Sequence, residues 1–178
     1  MSELTPKGGV PIKYQKIKSQ ETPSLGLGTW RLSGEECAKA VERALTLGYR
    51  HVDTARMYRN EDEVGRGIKD SGVDREDVFL VTKVWPSNFS HDDGVRSTRE
   101  SLRKLGTDYV DLLLMHWPSQ CVPLEETLGA MTDLKERGGV RHVGVSNFPR
   151  KWSRRLRATR RSSATRSSTI PTSPKTSS

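Results

Sequence analysis

Apolar residues recur along the chain in two ways: in short continuous runs, and in longer stretches where they return every third or fourth position. SLGLGTW (24–30), HVDTA (51–55), VFLVTKVW (78–85), DYVDLLLMHW (108–117) and VRHVGVSNF (140–148) are runs of strand length. The third of these is apolar almost throughout, which suits a strand covered on both faces. Between the runs, GEECAKAVERALTLGY (34–49) sets Ala38, Val41, Ala44 and Leu45 on one helical face. NEDEVGRGIKDSG (60–72) opens on acids and closes on Gly72, as the helix dipole and a C-terminal glycine favour. DDGVRSTRESLRKLG (92–106), with Val95, Leu102 and Leu105 on one side, and LEETLGAMTDLKERG (124–138) supply two further helices. Five strands alternating with four helices demand parallel pairing through right-handed crossovers. Two architectures satisfy that, an open doubly wound sheet and a (β/α)8 barrel. GLG at 26–28 lacks the GxGxxG spacing of a dinucleotide-binding turn. Residues before 24 read as a polar leader.

Whole-chain averages conceal a change near residue 150. Of the 178 residues 33% are apolar and 29% charged, with a net charge of +8. Lys151, Arg154, Arg155, Arg157, Arg160, Arg161, Arg166 and Lys175 account for all of that excess, and residues 151–178 contain no acid. Residues 1–150 are therefore neutral, and a nucleic-acid partner would have to be bound by the tail alone. Cys37 and Cys121 are far apart and outside any His/Cys cluster, so neither a disulfide framework nor a metal site is expected. Both are expected to be buried thiols in a reducing compartment. With no apolar leader and no membrane-length apolar window, a soluble cytoplasmic protein with no membrane partner is the expectation.

Several chemically distinctive residues fall at the C-terminal ends of the expected strands: Asp53, Lys83, His116, and Ser146 with Asn147. Tyr58 lies in the loop after Asp53. In a barrel such ends share one mouth. A lysine inside VFLVTKVW is costly without a compensating carboxylate, and Asp53 is the natural partner. The bland alternative is a purely structural ion pair. A free tyrosine is a poor proton donor at neutral pH, but a nearby Lys83 cation stabilises the phenolate left behind. Tyr58 would then donate to a carbonyl oxygen gaining charge during reduction, with His116 hydrogen-bonded to that same oxygen. His51, His91 and His142 have no such company and read as structural. Trp30, Trp85 and Trp117 close three strands and would give the mouth apolar walls for a carbonyl substrate, or simply pack the rim.

At this point the residues are recognisable. GYRHVDTARMYRNEDEVG (48–65) and MTDLKERGGVRHVGVSNF (131–148) resemble the first and second signatures of the aldo-keto reductases, and LGLGTW (25–30) and LLLMHWP (112–118) match that family as well. The resemblance spans roughly residues 10–150. It implies a (β/α)8 barrel binding NADPH, with NADH as the alternative, and a catalytic tetrad of Asp53, Tyr58, Lys83 and His116. It further implies hydride transfer to an aldehyde or ketone. Cofactor contacts fall on Ser146, Asn147, Thr29 and Asp53, and substrate contacts on Trp30, Trp85, His116 and Trp117. The partner is a small carbonyl compound, with a monomer expected at full length.

After the fifth strand the resemblance stops, about five of eight β/α units into the barrel. Such a barrel takes roughly 200–250 residues or more. The family's IPKS-like cofactor grip has only a superficial echo in Ile170-Pro171-Thr172-Ser173. Instead comes KWSRRLRATRRSSATRSSTIPTSPKTSS, low in complexity and without apolar periodicity, and expected to be disordered. Thr165–Ser178 can be written in codons which, read one base earlier, encode NQVEYHPYLSQDKL, and this resembles the family's sixth strand. A frameshift near residues 150–152 is therefore expected. The unclosed sheet would be aggregation-prone and nearly inactive. Two other functions stand beside the reductase: a non-catalytic binding or regulatory protein on the same scaffold, and nucleic-acid binding by the tail, which a frameshift makes unattractive.

Overall fold

A computed structural model describes residues 12–17, 20–119 and 121–149. Met1–Ser146 forms one compact unit; Asn147–Ser178 forms a second, of which residues 147–149 are described. The expected disorder of the tail falls outside the described residues.

The first unit opens with a hairpin, β1 (Tyr14–Ile17) antiparallel to β2 (Gln20–Pro23). Then follow β3 (Leu27–Gly28), α1 (Gly34–Thr46), β4 (His51–Asp53), α2 (Glu61–Asp70), β5 (Phe79–Val84), α3 (His91–Leu105), β6 (Val110–Met115), α4 (Leu124–Glu136) and β7 (Val140–Val145). Strands β3 to β7 make one parallel sheet in the order β3-β4-β5-β6-β7. That order decides between the two architectures. A doubly wound sheet reverses direction and places a strand out of sequence, whereas here every new strand joins the same edge. This is the advance of a (β/α)8 barrel, carried through five strands.

The core lies between sheet and helices. Val52, Leu80 and Leu113 from the strands and Cys37, Val41, Leu45, Val64, Met131 and Leu134 from the helices are all nearly inaccessible. Burying each such Val, Leu or Met contributes about 1.5–3 kcal/mol. Helix α2 sits close to both neighbours because its glycines allow it. A methyl group on Gly67 would run into the Ala38 carbonyl oxygen of α1, and one on Gly65 would lie 2.5 Å from that of Leu105 at the end of α3.

Three expectations need correcting. The polar leader contains the β1–β2 hairpin, invisible as a pattern because all four residues of β1 are exposed. Backbone pairing defines it, and β2 also contacts the sheet through His51 Nδ1 near the Pro23 carbonyl (3.4 Å) and His142 Nε2 at Gln20 Oε1 (3.1 Å). The buried face of α3 is not the Val95–Leu102–Leu105 side but Gly94, Ser97, Thr98, Ser101 and Leu105. Of these, Ser101 bonds a buried carboxylate, Glu61, which also receives Thr82 of β5, while Thr98 donates back to the Gly94 carbonyl (2.8 Å). Finally, Cys121 is exposed; Cys37 is buried, and burial pushes its thiol up to about 11.

Candidate active site

In register, Asp53 pairs with Gly28 and Val81, and Lys83 with Leu114. The ladder continues one residue beyond several strands: Thr29 N–H donates to the Asp53 carbonyl (3.0 Å), Thr54 N–H to Val81 (2.9 Å), His116 N–H to Val84 (3.0 Å) and Ser146 N–H to Met115 (2.8 Å). Five strands thus present their final residues along one end of the sheet. The sequence runs 108–117 and 140–148 had been expected as strand to their ends; β6 and β7 stop at Met115 and Val145, leaving His116, Trp117, Ser146 and Asn147 beyond them.

Lys83 is 6% exposed, so its ammonium must be compensated. It donates to both carboxylate oxygens of Asp53 (2.8 and 2.7 Å) and to the Thr54 carbonyl (2.9 Å), and its Nζ lies 3.3 Å from the Tyr58 hydroxyl. An ammonium has no lone pair, so in this contact the phenol oxygen is the acceptor. The phenolic proton is left to be donated elsewhere. Tyr58 closes a single helical turn, Arg56–Tyr58, after β4, with its N–H bonded to the Ala55 carbonyl (2.9 Å).

His116 is 7% exposed and meets Tyr58 edge-on, with ring centroids 5.7 Å apart. Burial foremost, then the Lys83 cation, hold its pKa below the usual histidine value against the opposing pull of Asp53. A neutral imidazole results, able to donate one N–H without carrying charge. Trp85 lies edge-on to His116 (5.3 Å) and Trp30 edge-on to Tyr58 (4.9 Å), so of Trp30, Trp85 and Trp117 the first two flank the Tyr58–His116 pair. Trp30 and Trp117 are 56% and 48% exposed, at an open rim rather than in the core.

Of the residues assigned to a nicotinamide, Ser146 stands one position past β7 at the level of His116. Thr29 is fully buried, and its hydroxyl as well as its N–H is directed at the Asp53 carbonyl (3.2 Å), so it locks β3 to β4. Asn147 begins the second unit and has a left-handed backbone (φ 60°), which asparagine tolerates better than most side chains. Cys37, His51, His91 and His142 lie outside this group. His51 stacks edge-on with Phe79 (5.2 Å), and His91 bonds Asp133 (2.9 Å) between α3 and α4.

Sequence reasoning missed Asn60, which is 1% exposed. Its amide donates to the carbonyls of Thr29 and Leu32 (2.9 Å each) and accepts from the Thr54 hydroxyl (2.9 Å). One side chain therefore ties the end of β3, the end of β4 and the start of α2 together, directly behind the Lys83–Thr54 bond. The available signal was an asparagine immediately before an acid-rich helix start, which reads as an ordinary cap. Among the described residues no cluster of His, Cys, Asp and Glu could hold a metal ion, and no helix is long and apolar enough to cross a membrane.

Comparison with known proteins supplies the chain's relatives. Residues 24–169 match the sequence profile of the Aldo/keto reductase family. Methylglyoxal reductase DkgB of Salmonella typhi is 48% identical over 128 residues, covering 71% of this chain and 48% of its own length. An aldo-keto reductase of Mycolicibacterium smegmatis is 48% identical over 130 residues, 46% of its length. Among solved structures, a Bombyx mori aldo-keto reductase in complex with NADP superposes with a TM-score of 0.79 at 35% identity, over 84% of this chain and 55% of its own. A putative 2,5-diketo-D-gluconic acid reductase B superposes with 0.78 at 47% identity, over 84% and 52%. The chain spans about half the length of the curated relatives it matches. By the profile match over residues 24–169, with solved relatives superposing on its fold, the chain belongs to the aldo/keto reductase family.

Proposed function

We propose that this chain carries the catalytic half of a nicotinamide-dependent reductase that converts a small aldehyde or ketone to an alcohol, with Tyr58 as the proton donor. The observation that carries the reading is the Lys83 ammonium lying 3.3 Å from the phenol oxygen while it is held by Asp53. The cation stabilises negative charge left on that oxygen as the proton departs. Asp53 keeps the ammonium charged and in place in a setting where an unpaired lysine would be costly. Neutral His116, beside the ring, directs an N–H at the carbonyl oxygen and orients it without competing as an acid. Trp30 and Trp85 supply the apolar walls.

The donor set fits one end of a nicotinamide nucleotide. Ser146 stands at the sheet end for its carboxamide, with Asn147 next in sequence, while Thr29 is spent on the scaffold. When bound, the nucleotide supplies the hydride. NADPH is favoured over NADH because the Bombyx mori relative was solved in complex with NADP. A dicarbonyl such as methylglyoxal leads the substrate panel, since a relative 48% identical is named for reducing it.

Residues 151–178 are proposed to come from a displaced reading frame, given the match of their shifted codons to NQVEYHPYL. The test of the main reading is NADPH oxidation with a panel of small aldehydes, wild type against Tyr58→Phe. Loss of the proton donor is expected to lower turnover by about 10²–10⁴, with the nucleotide still bound. Equal turnover by the two proteins would remove Tyr58 from the chemistry.

A further inference from the structure

A single helical turn has almost no stability of its own, so the position of Tyr58 within Arg56–Tyr58 depends on what anchors the turn. Its trailing side is secured: Arg59 adopts a left-handed backbone (φ 58°), and the next residue, Asn60, is buried in the three-way clamp already described. The leading residue is Arg56. Its guanidinium leaves the mouth and reaches into the contact between α2 and α3, where it donates to Glu100 Oε2 at 2.6 Å and lies 3.4 Å from the Ser97 carbonyl. The pair is partly sheltered, at 29% and 41% side-chain exposure, so it is less screened than a fully exposed one. Glu61, buried at the start of α2, also feels the Arg56 charge, and Lys104 lies near both acids.

We infer that Arg56 is a positioning residue for Tyr58, pinning the turn that carries the phenol to α3 through Glu100 and the Ser97 carbonyl and so keeping the phenol oxygen against Lys83. The inference rests on the reading of Tyr58 as the proton donor. Only Met57 separates the anchor from the phenol, and a turn freed at its leading end would let the 3.3 Å contact lengthen. A misplacement of about 1 Å at a reacting group can cost on the order of a hundredfold in rate.

The test uses the whole 178-residue chain. Variants are Arg56→Met, Arg56→Lys, Glu100→Gln, and the exchange of Arg56→Glu with Glu100→Arg. Two readouts are taken: the proton resonances of the Tyr58 ring, assigned by their loss in Tyr58→Phe, and kcat and KM for aldehyde reduction. Contacts with Trp30 and His116 give those ring protons ring-current shifts that depend on the position of the phenol. Arg56→Met and Glu100→Gln are expected to move them toward the values of an unstructured tyrosine. kcat should fall about tenfold, ~1.4 kcal/mol, with KM within roughly twofold, while Arg56→Lys and the exchange recover most of the loss.

Glu100→Gln keeps the shape of a partly exposed side chain and guards against misfolding of the arginine variants. If Glu100→Gln lowers only the thermal midpoint, leaving the Tyr58 resonances and kcat unchanged, Arg56 merely stabilises the helices and the inference is overturned. If the wild-type chain reduces no aldehyde, that bears on the reductase reading and not on the anchoring, for which the resonances decide alone: moved signals support the anchoring of Tyr58, and unmoved ones overturn it.

Discussion

Glu61 shows how far a single charged residue can depart from its apparent role. Within NEDEVG it looks like one of several acids at a helix start, and it does favour the dipole there. Its side chain nevertheless turns inward to 2% exposure and accepts the Thr82 hydroxyl at 2.6 Å. Burial outweighs that bond, the Ser101 bond and the Arg56 and Lys104 cations, and raises its pKa above the usual 4.5. The folded chain therefore binds a proton there more tightly than the unfolded chain does. Stability falls as pH rises from the unfolded value through the raised one. Glu61→Gln keeps an acceptor for both hydroxyls and cannot ionise. The thermal midpoint of wild type relative to this variant is expected to drop as pH is raised from about 4.5 toward neutrality, and a difference independent of pH would show that the carboxylate is compensated. Lys83 was legible in the sequence because a cation interrupts an apolar run. Glu61, Arg56 and Asn60 were not, because they lie among polar neighbours where a solvated side chain is the ordinary outcome.

Elements were legible where one face is apolar and the other polar, as in α1, whose Cys37, Ala38, Val41, Ala44 and Leu45 are all buried. Reading failed where the inward face is small or polar. Helix α3 hides a hydroxyl-rich stripe, and the β1–β2 hairpin has no buried residue in β1. Close approach of α2 to its neighbours rests on glycine for a steric reason rather than a conformational one. Gly67→Ala, although alanine favours a helix by about 0.8–1.0 kcal/mol, is expected to destabilise by roughly 1–3 kcal/mol, since the new methyl group meets the Ala38 carbonyl. At Gly129 in α4 such a methyl would lie in ordinary contact with the His91 ring, 3.7 Å away, so Gly129→Ala should gain up to about 1 kcal/mol. Urea denaturation of the two variants checks both signs; destabilisation of equal size in each would remove the packing explanation.

For the molecule as a whole, the pattern of strands and helices allowed two architectures; the family resemblance implied the barrel, and strand order shows it. Local pattern defines strands, whereas order depends on which edge each strand joins. The shift in composition near residue 150 yields a prediction at the same scale. Sequencing the gene from the codon for Val143 through that for Thr165 is expected to show the frame displaced by one base near Arg150. A frame that reads as printed would make residues 151–178 a genuine part of the protein. Sequential strand order also bears on synthesis. Each strand of the sheet pairs with one made before it, and Lys83 finds its counter-ion on a strand translated 30 residues earlier. The chain that emerges from the ribosome therefore never has to bury this ammonium before its carboxylate exists. This buried charge is neutralised in the order of translation.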